Sequence, residues 1–388
     1  MKFLRLVLRN TMRHKLRTFL TIMGIAVALM AFALLRMVVG AFYAGLEASA
    51  ADRLITRHAV SFVFSLPITY MDKIKTVPGV ADVTFAVWFQ GIYKDPAKFE
   101  NFFPRMAVNP DNFFKIYPEF VIPPEQFEAF RKERNAVIIG TESARKHNLK
   151  IGDMISITGD IYPGDWQFVV RGIYKGKDRT SDQTIMFFDW KYLNEQLTRD
   201  FPARAGRIGW FVVKVQNMNQ SAQVSERVDA LFKNSPAETK TETEKAFNQS
   251  FISMYSAIIT AMNFISFVIV GIILLVLANT IAMTARERTT EYAVLKTLGF
   301  TGGHLTGFIA GEALLISLIG GAIGLALSMP IAGAFQSAFP TIFPIMPDPT
   351  WTLIWGGIAS FFVGILASLF PVVKVAKMRI VDGLRHID

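Results

Sequence analysis

The stretch from Thr239 to Phe300 constrains the fold more than any other part of the chain. From Ser256 to Ala282 it carries no charged residue, and at about 1.5 Å per helical residue that length crosses a bilayer. Before it, Phe247, Phe251 and Tyr255 recur at i, i+4 and i+8, which gives a helix one apolar stripe beside a polar face. After it come Arg286, Glu287, Arg288 and Glu291, a charged segment suited to a membrane surface. Read as one helix, Thr239 to Thr284 would run roughly 67 Å, against about 40–45 Å for a bilayer with its headgroups. The excess predicts a stalk standing clear of the membrane, with Phe247, Phe251 and Tyr255 packed against an outward extension of the first span.

Three further segments are long and apolar enough to span, at about Thr18–Ala41, Leu305–Phe335 and Trp351–Val373. Between the first and second spans lie about 200 residues of ordinary soluble composition, the size of one or two domains. The expected fold class is therefore membrane α-helical, four transmembrane helices with a large α+β extracytoplasmic domain inserted between the first and second. The net charge of +10 is concentrated at membrane flanks: Lys2, Arg5, Arg9, Arg13, Lys15 and Arg17 before the first span, Arg286, Arg288 and Lys296 after the second, and Lys374, Lys377, Arg379 and Arg385 after the fourth. The loop 336–350 has no Lys or Arg. The positive-inside rule puts both termini and the 284–304 segment in the cytoplasm and the insert outside. Such a distribution argues against nucleic-acid binding. The absence of cysteine leaves the redox compartment open. AlaSerAla at 48–50 resembles a signal cleavage site, but the apolar region is longer than the usual 7–15 residues and reads as an uncleaved anchor.

In order, residues 1–17 place arginines at i+4 spacing and predict an amphipathic cytoplasmic helix. The first helix and stalk follow at 18–57, with Arg36 near the outer surface and snorkelling towards it. The outside domain takes 58–238, divided into a membrane-proximal lobe of about 58–89 with 208–238 and a mostly β lobe of about 90–207. Strands are expected at 61–67, 80–89, 135–140, around 155, 167 and 184, and at 210–216, with an amphipathic helix over 221–233. Then come the stalk and second span (239–283), a cytoplasmic helix and turn (284–304), the third span (305–335), an outside loop (336–350), the fourth span (351–373) and a cytoplasmic tail (374–388).

Chemistry of its own is hard to find. The chain has no GxxxxGK[ST], so no phosphate-cradling loop, and no HExxH, CxxC or GxSxG. The five histidines are scattered, and no catalytic or metal-ligating residue is assigned. Inside the spans the ionisable groups are Arg36 and Glu312. A carboxylate there costs a few kcal/mol unless paired or protonated, so Glu312 is expected to bond a neighbouring helix or the 286–291 charges. Gly320, Gly321 and Gly324 form a small-residue face, including a GxxxG, that lets helix backbones approach closely.

Several stretches together resemble the macrolide-exporter (MacB), FtsX and lipoprotein-releasing permeases of ABC transporters. Residues 279–300 carry the strongest likeness: Asn279 near the end of the second span, an ArgGluArg-x-x-Glu run, and a Lys296-Thr-Leu-Gly ending. Residues 311–324 and the tail 371–385 add to it, as do 77–83, 107–114 and 137–153 in the insert. The resemblance implies a four-span subunit of a bacterial inner membrane that pairs as a homodimer or with a closely related permease. It implies a separate cytoplasmic ATPase, which would hold the ATP and magnesium, since no ATPase domain is fused here, and an optional periplasmic adaptor. ATP-driven closure would then be passed through the stalk to a porter-like and a sabre-like lobe outside, with Arg286, Glu287, Arg288, Glu291 and Lys296 meeting the ATPase. The expected function is efflux or extraction of an amphiphilic or lipid-like substrate. The rival is an FtsX-like signalling subunit that activates a cell-wall hydrolase without transport.

Overall fold

Eleven strands of the insert form one mixed sheet: β1 (Arg53–His58), β2 (Val80–Trp88), β3 (Gly91–Tyr93), β4 (Arg105–Val108), β5 (Phe120–Val121), β6 (Ala136–Gly140), β7 (Met154–Gly159), β8 (Gly164–Gly176), β9 (Met186–Asp189), β10 (Trp210–Val215) and β11 (Thr239–Thr243). The order across it is β11-β1-β10-β2-β4-β9-β6-β8-β7-β3, with β5 paired to β8. β9 runs parallel to β4 and β6 parallel to β8, and the other pairs are antiparallel. This is a computed structural model that describes residues 11–47, 49–95, 97, 101–178, 180–338, 345 and 347–380.

The chain divides into two compact units: residues 41–255 with 336–346, and the helical remainder. In the first, strand alternation places the core. Along β8 the buried positions are Trp166, Phe168, Val170, Gly172 and Tyr174, the period of two that a pleated strand imposes. Phe89 sits at the centre of one face, in edge contact with Trp166, Phe168 and Phe188. The sheet runs without interruption through the region expected to divide into two lobes, so 90–207 and its flanks share one sheet.

Three expectations at the ends of the insert need correction. The first helix, α1, spans Lys15–Glu47 and stops there; residues 53–58, read as its continuation, form a strand inside the sheet, because Leu54 and Ile55 are buried between β10 and β11. Residues 61–65 are turns, and only Leu66–Pro67 is extended there. The single long helix from Thr239 also does not form. Thr239 and Thr241 alternate inward as strand β11, as β-branched residues favour. Helix α2 then starts at Glu244 and ends at Met254, capped by the Thr243 hydroxyl accepting from the Ala246 amide.

The second unit contains α3 (Ser256–Glu287), α4 (Thr289–Thr297), α5 (Gly302–Ala338) and α6 (Pro349–Lys377), together with α1 up to Gly40. Four helices, α1, α3, α5 and α6, are long and apolar enough to cross a membrane. One buried core joins them, including Leu29, Leu277, Ile309 and Val363. Of the expected N-terminal helix, residues 1–10 lie outside the described residues, as do 381–388 of the tail.

Candidate functional site

The glycines on α5 fix how its helices meet. A Cβ on Gly324 would lie 2.3 Å from the Ala26 carbonyl oxygen, and one on Gly320 2.8 Å from Ile25. One on Gly321 would meet the Ser360 hydroxyl at 2.3 Å. The face therefore seats α1 on one side and α6 on the other, at distances only glycine permits. Beside it Ser317 donates to the Ser360 carbonyl at 2.6 Å and Ser360 donates back to the Ser317 carbonyl at 2.7 Å. This reciprocal pair gives two polar groups partners away from water.

At one end of this unit the charged segment becomes a knot. Helix α3 ends at Glu287, Arg288 leaves helical geometry, and α4 restarts at Thr289. Arg17 of α1 holds Glu287 with two bonds at 2.7 and 2.8 Å, the bidentate fork of an arginine on a carboxylate. Arg13 bonds Glu291. Arg288 turns inward, 5% exposed, and meets Glu312 of α5 at 3.4 Å. Lys296 donates to the carbonyl oxygens of Val375, Ala376 and Met378, at 3.3, 3.2 and 2.7 Å. These carbonyls close α6, where a cation suits the helix dipole. Gly299 (φ +89°) then ends α4, its amide on Lys296 O and that of Phe300 on Leu295 O, the pattern of a left-handed C-cap.

The segment lies where the sequence placed it, and most of its charges also have partners within the chain. Glu287, Arg288, Glu291 and Lys296 are engaged within the chain; only Arg286 is exposed and has no ion-pair partner among the described residues. Tyr292 faces inward, and burial pushes its phenol up to about 12 against the opposing pull of Arg288. Leu298 is 71% exposed, because the turn begins there. Arg36 does not simply snorkel: it donates to Asn263 Oδ1 of α3 at 2.8 Å. Asn263 lay unnoticed among apolar neighbours, although a lone amide in a span is itself a signal. Asn279 is exposed on α3 and joins none of these pairs.

The stalk aromatics also divide. Phe247 is buried against Ile55, Ile116 and Val212 of the sheet domain, and Phe251 stacks edge-on to Phe247 and Phe62. Tyr255 alone reaches α1, 5.8 Å from Phe42. Beyond the end of α1, Asn248 of α2 donates to the Ser49 hydroxyl at 2.9 Å, and Glu244 at the start of α2 makes three bonds. It accepts from the Ala50 amide at 3.0 Å, from Arg53 Nε at 2.7 Å and from the Tyr117 hydroxyl at 3.1 Å. Burial raises its carboxyl above the usual range, and Arg53 opposes that shift.

Residues 18–231 match the MacB-like periplasmic core domain, and residues 263–380 match the FtsX-like permease C-terminal domain. The chain belongs to the MacB- and FtsX-like ABC transporter permeases. An uncharacterized ABC transporter permease of Methanocaldococcus jannaschii is 23% identical over 337 residues, covering 80% of this chain and 77% of the relative. An uncharacterized ABC transporter permease protein of Mycobacterium tuberculosis is 24% identical over 191 residues, 49% of this chain and 21% of that protein. Among solved structures, the periplasmic region of MacB from Actinobacillus actinomycetemcomitans aligns over 53% of this chain and 95% of its own, with TM-score 0.39 and 10% identity. The extracellular domain of the noncanonic ABC-type transporter YknZ from Gram-positive bacteria aligns over 50% and 99%, with TM-score 0.36 and 13% identity. A permease of this class is a transport subunit and not itself the ATPase, so an ATPase partner is implied.

Proposed function

We propose that this permease, as a pair of copies in a bacterial inner membrane, converts ATP hydrolysis on a separate cytoplasmic ATPase into motion of its outer domain, and so drives efflux or extraction of an amphiphilic substrate. The observation that supports it is the knot around α4. Within α4, Glu291 bonds Arg13, just before α1, and Lys296 bonds the end of α6. At its start Arg288 meets Glu312 of α5, and Glu287, the last residue of α3, is held by Arg17 of α1. A push on α4 would therefore be felt by its neighbouring helices together. The positive flanks support a cytoplasmic position for this end.

The division of charges assigns two kinds of role. Arg286 is the free charge offered to the ATPase surface, and Arg288 is the internal tie. In a reconstituted complex, Arg286→Ala is expected to lower ATPase association with the helical unit unchanged. Arg288→Ala leaves Glu312 buried without its partner, at a cost of about 3–5 kcal/mol, and is expected to uncouple ATP turnover from transport while the ATPase still binds. If Arg288→Ala leaves substrate-stimulated turnover and transport intact, the reading is wrong. ATP turnover that instead releases activity of a bound cell-wall hydrolase, with no substrate moved, would favour the signalling alternative.

A further inference from the structure

A cavity of about 540 Å³ opens inside the outer domain, bounded by the outer part of α1, β1, α2 and residues 177, 178 and 180–182. That volume suits a drug-sized molecule. Its wall is aromatic: Phe113, Tyr117, Phe120, Phe187, Trp210 and Phe247 all line it. Aromatic faces attract organic cations and give no comparable hold on anions.

The charges around the cavity point the same way. Among the described residues, five carboxylates line it, from Asp52, Glu119, Asp178, Asp182 and Glu244, against three cationic side chains, Arg53, Lys177 and Lys214, an excess of two negative charges. The cations are also mostly occupied. Arg53 is 4% exposed, lies over the Tyr117 ring at 4.2 Å and is bonded to Glu119 and Glu244. Lys214 pairs with Asp52 at 3.4 Å. By contrast, Asp182 uses one oxygen, Oδ1, to hold the amide and hydroxyl of Thr184, and Asp178 likewise uses Oδ1 for Thr180 and Ser181. Each carboxylate keeps a second oxygen without a protein donor among the described residues. Arg53 over Tyr117 shows in place how this wall receives a flat cation.

We infer that this cavity binds a lipophilic organic cation, its apolar body against Phe113, Phe120 and Trp210 and its charge facing Asp182 and Asp178. Binding stands on the cavity alone. That the occupant is cargo rests on the transport reading above, so binding is measured without the ATPase and apart from turnover.

The test uses the full chain in lipid nanodiscs, with empty nanodiscs as the control for partition into lipid. Tetraphenylphosphonium and tetraphenylborate have nearly the same size and opposite charge, and equilibrium dialysis reads both. Saturable binding of the phosphonium above the empty-disc level is expected, with none for the borate. Asp182→Asn should weaken it roughly tenfold, the scale of one charge-assisted contact. Because Asp182 also holds Thr184 and its loss could disturb the loop, Lys177→Glu, at an exposed position of the cavity mouth, supplies the second arm and should tighten binding severalfold. Equal or tighter binding of the borate, no binding of the phosphonium above empty discs, or phosphonium binding unchanged by both substitutions would overturn the assignment. A positive result with no effect of the cation on ATP turnover in the assembled complex would keep the site and remove the cargo role.

Discussion

Of the chain segments that lead from the helical unit into the outer domain, the two that flank residues 41–255 are built differently. α1 runs unbroken from Lys15 to Glu47. The other connector is interrupted at Tyr255, between α2 and α3, with neither Gly nor Pro at the break. Its cause is local. Ser250 donates to the Phe247 carbonyl at 2.7 Å and Ser253 to the Ser250 carbonyl at 2.6 Å, so hydroxyls compete for carbonyls that helical amides need. The Tyr255 amide then bonds three residues back, to Ile252, and the helix restarts at Ser256. One connector is a strut and the other has a joint, and Glu244 holds the start of α2 to Ala50 and Arg53, beyond the end of α1. Under the coupling proposed above, the joint is where this connector would bend.

The largest expected effect comes from cutting the tie. Glu244→Ala leaves Arg53 short of the buried one of its two carboxylates and the Ala50 amide without its acceptor. A loss of about 3–5 kcal/mol is expected, read by chemical unfolding of the full chain in detergent. Next comes the seat of the strut. Gly324→Leu drives side-chain atoms into the Ala26 backbone, for which overpacking predicts about 1–3 kcal/mol, seen as a lower thermal midpoint and loss of transport. Glu244→Ala should therefore disturb the outer domain, and Gly324→Leu the helical unit.

The sheet itself provides a contrast independent of both connectors. Burial lowers the His147 imidazole from 6.5 to about 4, so the fold holds it neutral while the unfolded chain takes up a proton below about pH 6.5. Stability is full above pH 6.5 and declines as pH falls towards 4. His147→Gln should flatten that part of the profile, as followed by thermal melts from pH 7 to 4. Smallest is the joint: replacing Ser250 and Ser253 with Ala removes the competing hydroxyls and should stabilise the connector by about 0.5 kcal/mol, while slowing transport if bending at Tyr255 is required.

How much of this was legible from residues follows from the range of the interactions. The spans, the inserted domain and the Gly320–Gly324 face could be read because charge-free length and i, i+4 spacing are local properties. Strands β1 and β11 could not: Thr239–Thr243 is polar and follows no apolar run, and it is ordered by pairing with Arg53–His58, far away in sequence. The ion pairs of the knot were hidden likewise. Arg17 and Glu287 stand 270 residues apart, and nothing near either names its partner. Charged residues beside a membrane can be read as a surface, but which of them also tie helices together is set by the fold.

The central claim is that the jointed connector bends while α1 stays straight. The chain has no cysteine, so spin labels can be placed cleanly at exposed sites: Leu20→Cys with Tyr43→Cys along α1, and Lys245→Cys with Phe267→Cys across Tyr255. The measurement is the pulsed-EPR distance for each pair in the assembled complex, without nucleotide and with ATP trapped by vanadate. The account predicts an unchanged distance along α1 and a shift of several ångströms across Tyr255. A change along α1, or none across the joint in a complex that still transports, would contradict it.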